Sequence, residues 1–139
     1  MEILVVIGII AILATVVLVA VNPARQFAQA RNSQRISNVE ALLNAVGQNL
    51  ADNKGVFTCA AGAIPATTTP MKSGADGYDI RPCLVPNYLP EVPNDPISGH
   101  FVSATDYATG YFITQSGTSS RITISSPDAE LGESIGVTR

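Results

Sequence analysis

Residues 3–21 have the sequence ILVVIGIIAILATVVLVAV, a run that only Gly8 and Thr15 interrupt. The run is far longer than an ordinary β-strand, although valine and isoleucine favour strands in water. As a helix it extends over roughly 28 Å, close to the hydrocarbon thickness of a bilayer. A chain in lipid must satisfy its own backbone hydrogen bonds, so we predict a membrane-spanning helix.

The residues that flank this run do not match a secretory signal peptide. The apolar core of a signal peptide is about 7 to 15 residues long, follows basic residues and precedes a cleavage site of small residues. Here Met1 and Glu2 come before the run, and Asn22 and Pro23 come after it. Asn22 and Pro23 can cap a new helix or kink one long helix, and we favour a kink or a locally unwound stretch.

The polar segment after Pro23 has the pattern of an amphipathic helix. Lys54 and Gly55 supply a basic last turn and a residue suited to the helix end. The apolar residues of this helix predict one stripe, which we expect to pack on a sheet formed by the C-terminal part of the same chain. The first half of the helix, around Phe27, has no evident partner within the chain, and we expect it to face neighbouring subunits. The stripe residues recur at alternating spacings of three and four, at Ile36, Val39, Leu43, Val46 and Leu50.

The composition indicates one small, mildly acidic domain beyond this helix. The chain has 139 residues and a net charge of −3, which suits a single core. Beyond position 50 there are five basic and nine acidic residues. Binding to nucleic-acid phosphates requires several lysine or arginine contacts, so we expect no specific nucleic-acid partner.

Cys59 and Cys83 are the only cysteines in the chain. With one histidine and no second cysteine pair, a zinc site is a poor fit. In an exported domain the two would form a disulfide, and otherwise they would be a pair of buried thiols. We favour the disulfide, which would contribute roughly 3 kcal/mol by restricting the unfolded chain.

Glu2 stands at the start of the apolar run, where an isolated carboxylate is costly to bury. It can lie in the headgroup region of a membrane, or it can pair with the N-terminal amine of an adjacent subunit if the helices pack together. Arg25, Arg31 and Arg35 follow the run, and the positive-inside tendency alone would place that side in the cytoplasm. A basic leader upstream of Met1, later removed, would allow an outward-facing head.

The first fourteen residues, MEILVVIGIIAILA, closely resemble the N-terminal signature of type IV pilins and of the pseudopilins of type II secretion and competence systems. Members of this family carry a short basic leader, and a prepilin peptidase removes it and methylates the new N-terminus. Their glutamate is the fifth mature residue and here it is the second, so we expect three residues to precede Met1. The resemblance implies that Glu2 is the assembly carboxylate and that Gly8 and Pro23 lie where these helices loosen on assembly. It also implies a filament core formed by Ile3, Leu4, Val5, Val6, Ile7, Ile9, Ile10, Ile12 and Leu13.

The resemblance further implies an α+β fold, the pilin ladle, in which the distal half of a long bent helix packs on a small antiparallel sheet. We expect a stem over residues 1–54, with an apolar half at 1–22 and an amphipathic half at 23–54. A globular head at 55–139 would hold a disulfide-braced loop and a sheet of three or four strands.

Within the head, turn-forming residues and short apolar runs indicate loops and strands. Residues 60–77 are rich in glycine, proline and threonine, which predicts an irregular loop. The prolines in 86–96 exclude a helix and an interior strand there. Strands are predicted at 101–103, 110–115 and 121–125, with a hairpin turn at 116–120 and a short edge strand at 134–138.

Few features of the chain support catalysis or metal binding. His100 is the only histidine and no glycine-rich phosphate loop occurs, so we expect neither an enzyme nor a cofactor. Asp76 with Asp79, or Asp95 with Asp106, offers oxygen ligands for calcium, but the ligand spacing of a calcium loop is missing. We therefore favour solvated turn aspartates.

Three functions are compatible with these features. We favour the principal subunit of a type IV pilus, a homopolymeric helical filament on the cell surface that supports adhesion, motility or DNA uptake. Before assembly it would be a single-pass protein of the inner, cytoplasmic membrane, with the prepilin peptidase and the membrane assembly machinery as partners. The alternatives are a minor pilin or pseudopilin of a secretion or competence system, and a membrane-tethered binding domain that never polymerises.

Overall fold

The computed structural model describes residues 1–139 and has an α+β architecture. Two N-terminal helices are followed by a small antiparallel sheet, with one short helix between its first two strands. The helices are α1 (Glu2–Val21), α2 (Pro23–Asp52) and α3 (Arg81–Leu84). The strands are β1 (Thr69–Lys72), β2 (His100–Ser103), β3 (Asp106–Gln115), β4 (Ile122–Ser126) and β5 (Ile135–Thr138).

A single residue separates α1 from α2. Asn22 has a φ of 46° and a ψ of 80°, in the left-handed region that asparagine tolerates better than most residues. Its side chain accepts a hydrogen bond from the Arg25 amide at 3.4 Å, and Pro23 occupies the first position of α2, where no N–H is needed. The predicted interruption is therefore present as a break between two helices.

The sheet has five strands, more than the three or four predicted, and β3 is central to it. The strand order is β1-β3-β4-β5, and β2 also pairs with β3. Ala108 pairs with both Lys72 and His100, and Phe112 pairs with both Pro70 and Ser125. Consequently β2 and β4 lie one after the other along the same side of β3.

The expectation of an irregular loop over 60–77 is wrong at its centre, where β1 forms. Met71 of this strand is buried against the core, and Pro70 is tolerated because β1 is an edge strand whose outer side needs no ladder donor. Long-range pairing with β3 thus overrides the local turn signal. The other predicted strands are present, although β3 begins four residues earlier, at Asp106 rather than at 110.

Helix α2 packs on the sheet as predicted, and all of the predicted stripe except Ile36 lies in or against the core. Ile36 is 41% exposed, whereas Leu42, which lies outside the predicted stripe, is completely buried. The buried face also includes Asn32, Arg35 and Asn49, so a search for apolar residues alone finds only part of it. The core that this face forms with the sheet includes Val39, Leu42, Leu43, Val46, Tyr111, Ile113, Ile122 and Ile124.

Replacing Leu42 by alanine tests the position of this face. The change leaves a cavity in the core and is expected to lower the free energy of unfolding of the head by about 2–5 kcal/mol. Ile36→Ala, on the same helix but exposed, is the matched control and should change it by no more than about 0.5 kcal/mol. Denaturant unfolding of the full chain in detergent measures both, and equal losses would contradict the observed face.

Candidate functional site

Helix α1 is an apolar rod that no other part of the chain covers. None of its residues is buried, and its mean hydropathy reaches 3.3. Its 20 residues extend over roughly 30 Å. By length and composition the helix can cross a membrane or act as a signal sequence. Because exposed apolar area is unfavourable in water, lipid or protein must cover it.

The residues predicted to form a filament core all lie on this rod. Their side chains are between 52% and 75% exposed and surround the helix on every side. They are therefore available to lipid or to several neighbouring helices at once. They are Ile3, Leu4, Val5, Val6, Ile7, Ile9, Ile10, Ile12 and Leu13.

The three predicted assembly residues lie at the start, in the first half and beyond the end of α1. Glu2 is its first residue, is exposed, and forms no ion pair within the chain. Gly8 lies inside a continuous helix, and a Cβ atom there would meet nothing within 4 Å, so packing within the chain does not require glycine. Pro23 begins α2 at the helix break. Their roles in assembly remain predictions.

An open apolar groove of about 270 Å³ extends across the helix break, from the last turns of α1 to the first turn of α2. Phe27, which lies in this groove, is 66% exposed and comes after the end of α1. The apolar surface thus continues beyond the segment that matches a bilayer's hydrocarbon layer. The groove is lined by Val17, Leu18, Val21, Pro23, Gln26 and Phe27.

A buried ion-pair network attaches the N-terminal half of α2 to the head. The guanidinium of Arg35 is fully buried and donates from Nε to Asp95 at 2.6 Å and from Nη1 to Glu130 at 2.8 Å. Arg31 donates two further hydrogen bonds to the Glu130 carboxylate, at 2.7 and 2.6 Å. The expectation that this half of α2 has no partner in its own head is therefore wrong, although Phe27 remains exposed.

The expectation that Asp95 is a solvated turn aspartate is also wrong. Its side chain has no exposed area because Arg35 compensates its charge. The amides of Ile97 and Ser98 donate to the same carboxylate at 2.8 and 3.0 Å. Gly110 lets this loop approach β3, since a Cβ there would lie 2.7 Å from the Asp95 Cβ.

Buried asparagines complete the network. Asn32 accepts a hydrogen bond from Arg35 at 3.1 Å and exchanges two hydrogen bonds with the backbone of Glu130, at 2.8 and 2.9 Å. Asn38 donates to the hydroxyl of Tyr111 on β3 at 2.9 Å. Asn32 and Arg35 follow the same spacing as the apolar face of α2. A helical template that admits polar residues would have identified them from the sequence.

Both acids of the network have lowered pKa values. Hydrogen bonds from Arg31 and then from Arg35 lower the pKa of Glu130 from 4.5 to about 2. Burial raises the pKa of Asp95, but the hydrogen bonds from Arg35 and the neighbouring amides outweigh this effect, so its pKa lies below the ordinary value. Both groups are therefore carboxylates at neutral pH.

The predicted disulfide between Cys59 and Cys83 is present, with their Cα atoms 4.8 Å apart. It joins the loop that follows α2 to helix α3. Cys83 is buried and Cys59 packs against the edge of the core. The bond therefore braces the connection between stem and sheet, including β1.

No group of three or more His, Cys, Asp or Glu side chains has an arrangement that would hold a metal ion. Asp79 accepts a hydrogen bond from the buried hydroxyl of Tyr107 at 2.6 Å. His100 lies 3.6 Å from Asp106 in an exposed hairpin. These contacts are explained by the fold of the head.

Comparison of the chain with protein families, curated proteins and solved structures finds no match. An apolar N-terminal helix that leads into a helix packed on a small antiparallel sheet is compatible with a pilin-like fold.

Removing the cation of the buried pair should destabilise the head strongly. Arg35→Ala leaves the Asp95 carboxylate buried without its partner, and we expect a loss of about 3–5 kcal/mol in the free energy of unfolding. Arg25→Ala is the control, because Arg25 is exposed and forms no ion pair. Denaturant unfolding in detergent measures both, and similar stabilities of the two variants would contradict a structural role for the pair.

Glu130 should make the stability of the head depend on pH in the acidic range. Because its folded pKa of about 2 lies below the ordinary 4.5, the stability it contributes is present above pH 4.5 and is lost as the pH falls toward 2. Glu130→Gln should therefore lower the Tm at pH 7, and this difference from the wild type should shrink between pH 4.5 and 2. Thermal unfolding followed by circular dichroism tests this, and a difference that does not change with pH would contradict it.

Proposed function

We propose that this chain is the principal subunit of a type IV pilus and polymerises through α1 into a helical filament on the cell surface. The observation that carries the proposal is the apolar surface that continues past the helix break to Phe27. A simple anchor needs only an apolar span as long as the hydrocarbon layer. Phe27, which is exposed on α2 beyond that span, suits a protein partner.

The attachment of α2 to the head supports the same proposal. The network of Arg31, Arg35, Asp95 and Glu130 begins one turn after Phe27. It fixes the direction in which α2 leaves the head, up to the break at Asn22. A filament repeats one subunit geometry many times, so a defined exit direction for the stem favours regular assembly.

The charge of Glu2 offers a means of setting the register between helices. In a membrane its carboxylate can remain at the polar surface. If α1 packs among other α1 helices, the carboxylate leaves water and requires a cation, and the N-terminal amine of a neighbouring copy has the right charge. Such a pair would form at only one axial offset between adjacent helices.

Replacing Glu2 by alanine tests this step. The head should keep its Tm, because Glu2 contacts nothing in it. Loss of a pair that contributes about 1.4 kcal/mol weakens each contact between subunits about tenfold. The yield of sheared surface filaments should therefore fall roughly tenfold or more. Glu40→Ala is the matched control, because Glu40 is an exposed acid on α2 without an ion pair. A normal filament yield for the Glu2 variant would reject the register role.

The amount and place of the chain in wild-type cells distinguish the alternatives. Long surface filaments made mostly of this chain are expected from the proposal. A few copies at a tip, or in a short structure within the envelope, would instead indicate a minor pilin or pseudopilin. A monomer confined to the membrane fraction would indicate a tethered binding domain.

A further inference from the structure

Asn49, near the C-terminal end of α2, is a buried side chain whose contacts neither the core nor the ion-pair network explains. Its Nδ2 atom donates to the carbonyl of Thr58 at 3.0 Å and to the carbonyl of Cys83 at 3.2 Å. Its Oδ1 atom accepts a hydrogen bond from the amide of Thr58 at 2.9 Å. Only 3% of the residue is exposed.

These hydrogen bonds connect the two segments that carry the cysteines. Thr58 directly precedes Cys59, and the second acceptor is the carbonyl of Cys83 itself. The two cysteines are 24 residues apart in the chain, so their encounter in the unfolded protein is opposed by the entropy of closing a loop. In the folded chain Asn49 holds the two segments beside each other through hydrogen bonds to both.

We propose that Asn49 is a positioning residue for the oxidation of Cys59 and Cys83, so that formation of the disulfide is coupled to docking of the last turns of α2 on the head. With oxidised glutathione as the oxidant, one cysteine thiolate attacks a glutathione sulfur and releases one reduced glutathione. The second cysteine thiolate then displaces the bound glutathione. The two protein thiols lose two electrons and two protons, and two molecules of reduced glutathione are formed.

The coupling must be reciprocal, which separates it from a general contribution to stability. If Asn49 raises the tendency of the two thiols to form a disulfide, then the disulfide must strengthen the contribution of Asn49 to folding by the same factor. A residue that only stabilises the fold would contribute equally in the oxidised and the cysteine-free protein. The inference does not depend on the proposed filament, since neither quantity involves assembly.

The first measurement is the equilibrium between dithiol and disulfide forms of the full chain, folded in detergent and held in glutathione redox buffers. Asn49→Ala removes hydrogen bonds to both segments and is expected to lower the equilibrium constant roughly tenfold or more. The control Gln48→Ala changes the neighbouring exposed residue and should leave the constant within about twofold of wild type. A change of less than twofold for Asn49→Ala would overturn the proposal.

The second measurement is the stability cost of Asn49→Ala with and without the disulfide. The loss in the free energy of unfolding should be larger in the oxidised protein than in a Cys59→Ser, Cys83→Ser protein, and the difference between the two losses should equal RT times the logarithm of the factor found in the redox equilibrium. Equal costs in the two backgrounds would overturn the coupling. If the alanine variant does not fold, Asn49→Ser retains a shorter polar group and should show a smaller shift in the same direction, and no shift would again count against the proposal.

Discussion

The structure depends on one constraint, the apolar surface of α1, which its own chain does not cover. All 20 residues of this helix lie outside the core. Their apolar surface is exposed to water unless lipid or another protein covers it. Lipid suffices for the span itself. It does not account for Phe27, which is exposed on α2 beyond the membrane-length segment. That excess is why we favour self-assembly over a simple anchor.

Helix α2 links this apolar rod to the head through two sets of polar contacts with an apolar core between them. Arg35 forms a buried ion pair with Asp95 in the N-terminal half of α2, and Asn49 contacts both cysteine-bearing segments near its C-terminal end. Apolar contacts alone tolerate sliding and rotation of a helix, whereas buried hydrogen bonds are satisfied in one arrangement. The polar residues thus fix the rotation and axial position of α2 on the sheet.

The sequence predicts the features that depend on local pattern. The apolar run of α1, the break at Asn22 and the last strands of the sheet each have a local signal in length, turn residues or alternation. The structure differs where distant residues decide the outcome. Arg35 is buried because Asp95 and Glu130, 60 and 95 positions away, supply its counter-charges, and β1 forms because β3 offers it a partner. The prediction of the disulfide succeeded because the chain contains only two cysteines, whereas the hydrogen bond from Asn49 to the Cys83 carbonyl joins residues 34 positions apart.

We propose that α1 packs among the α1 helices of other copies of the chain. A reconstruction of sheared surface filaments by cryo-electron microscopy tests this proposal most directly. We expect this chain to be the main component, with α1 helices packed along the filament axis, Phe27 buried against a neighbouring subunit and the heads outside. Filaments that lack this chain, or a chain whose α1 stays in the membrane when filaments are sheared from the cells, would contradict the account.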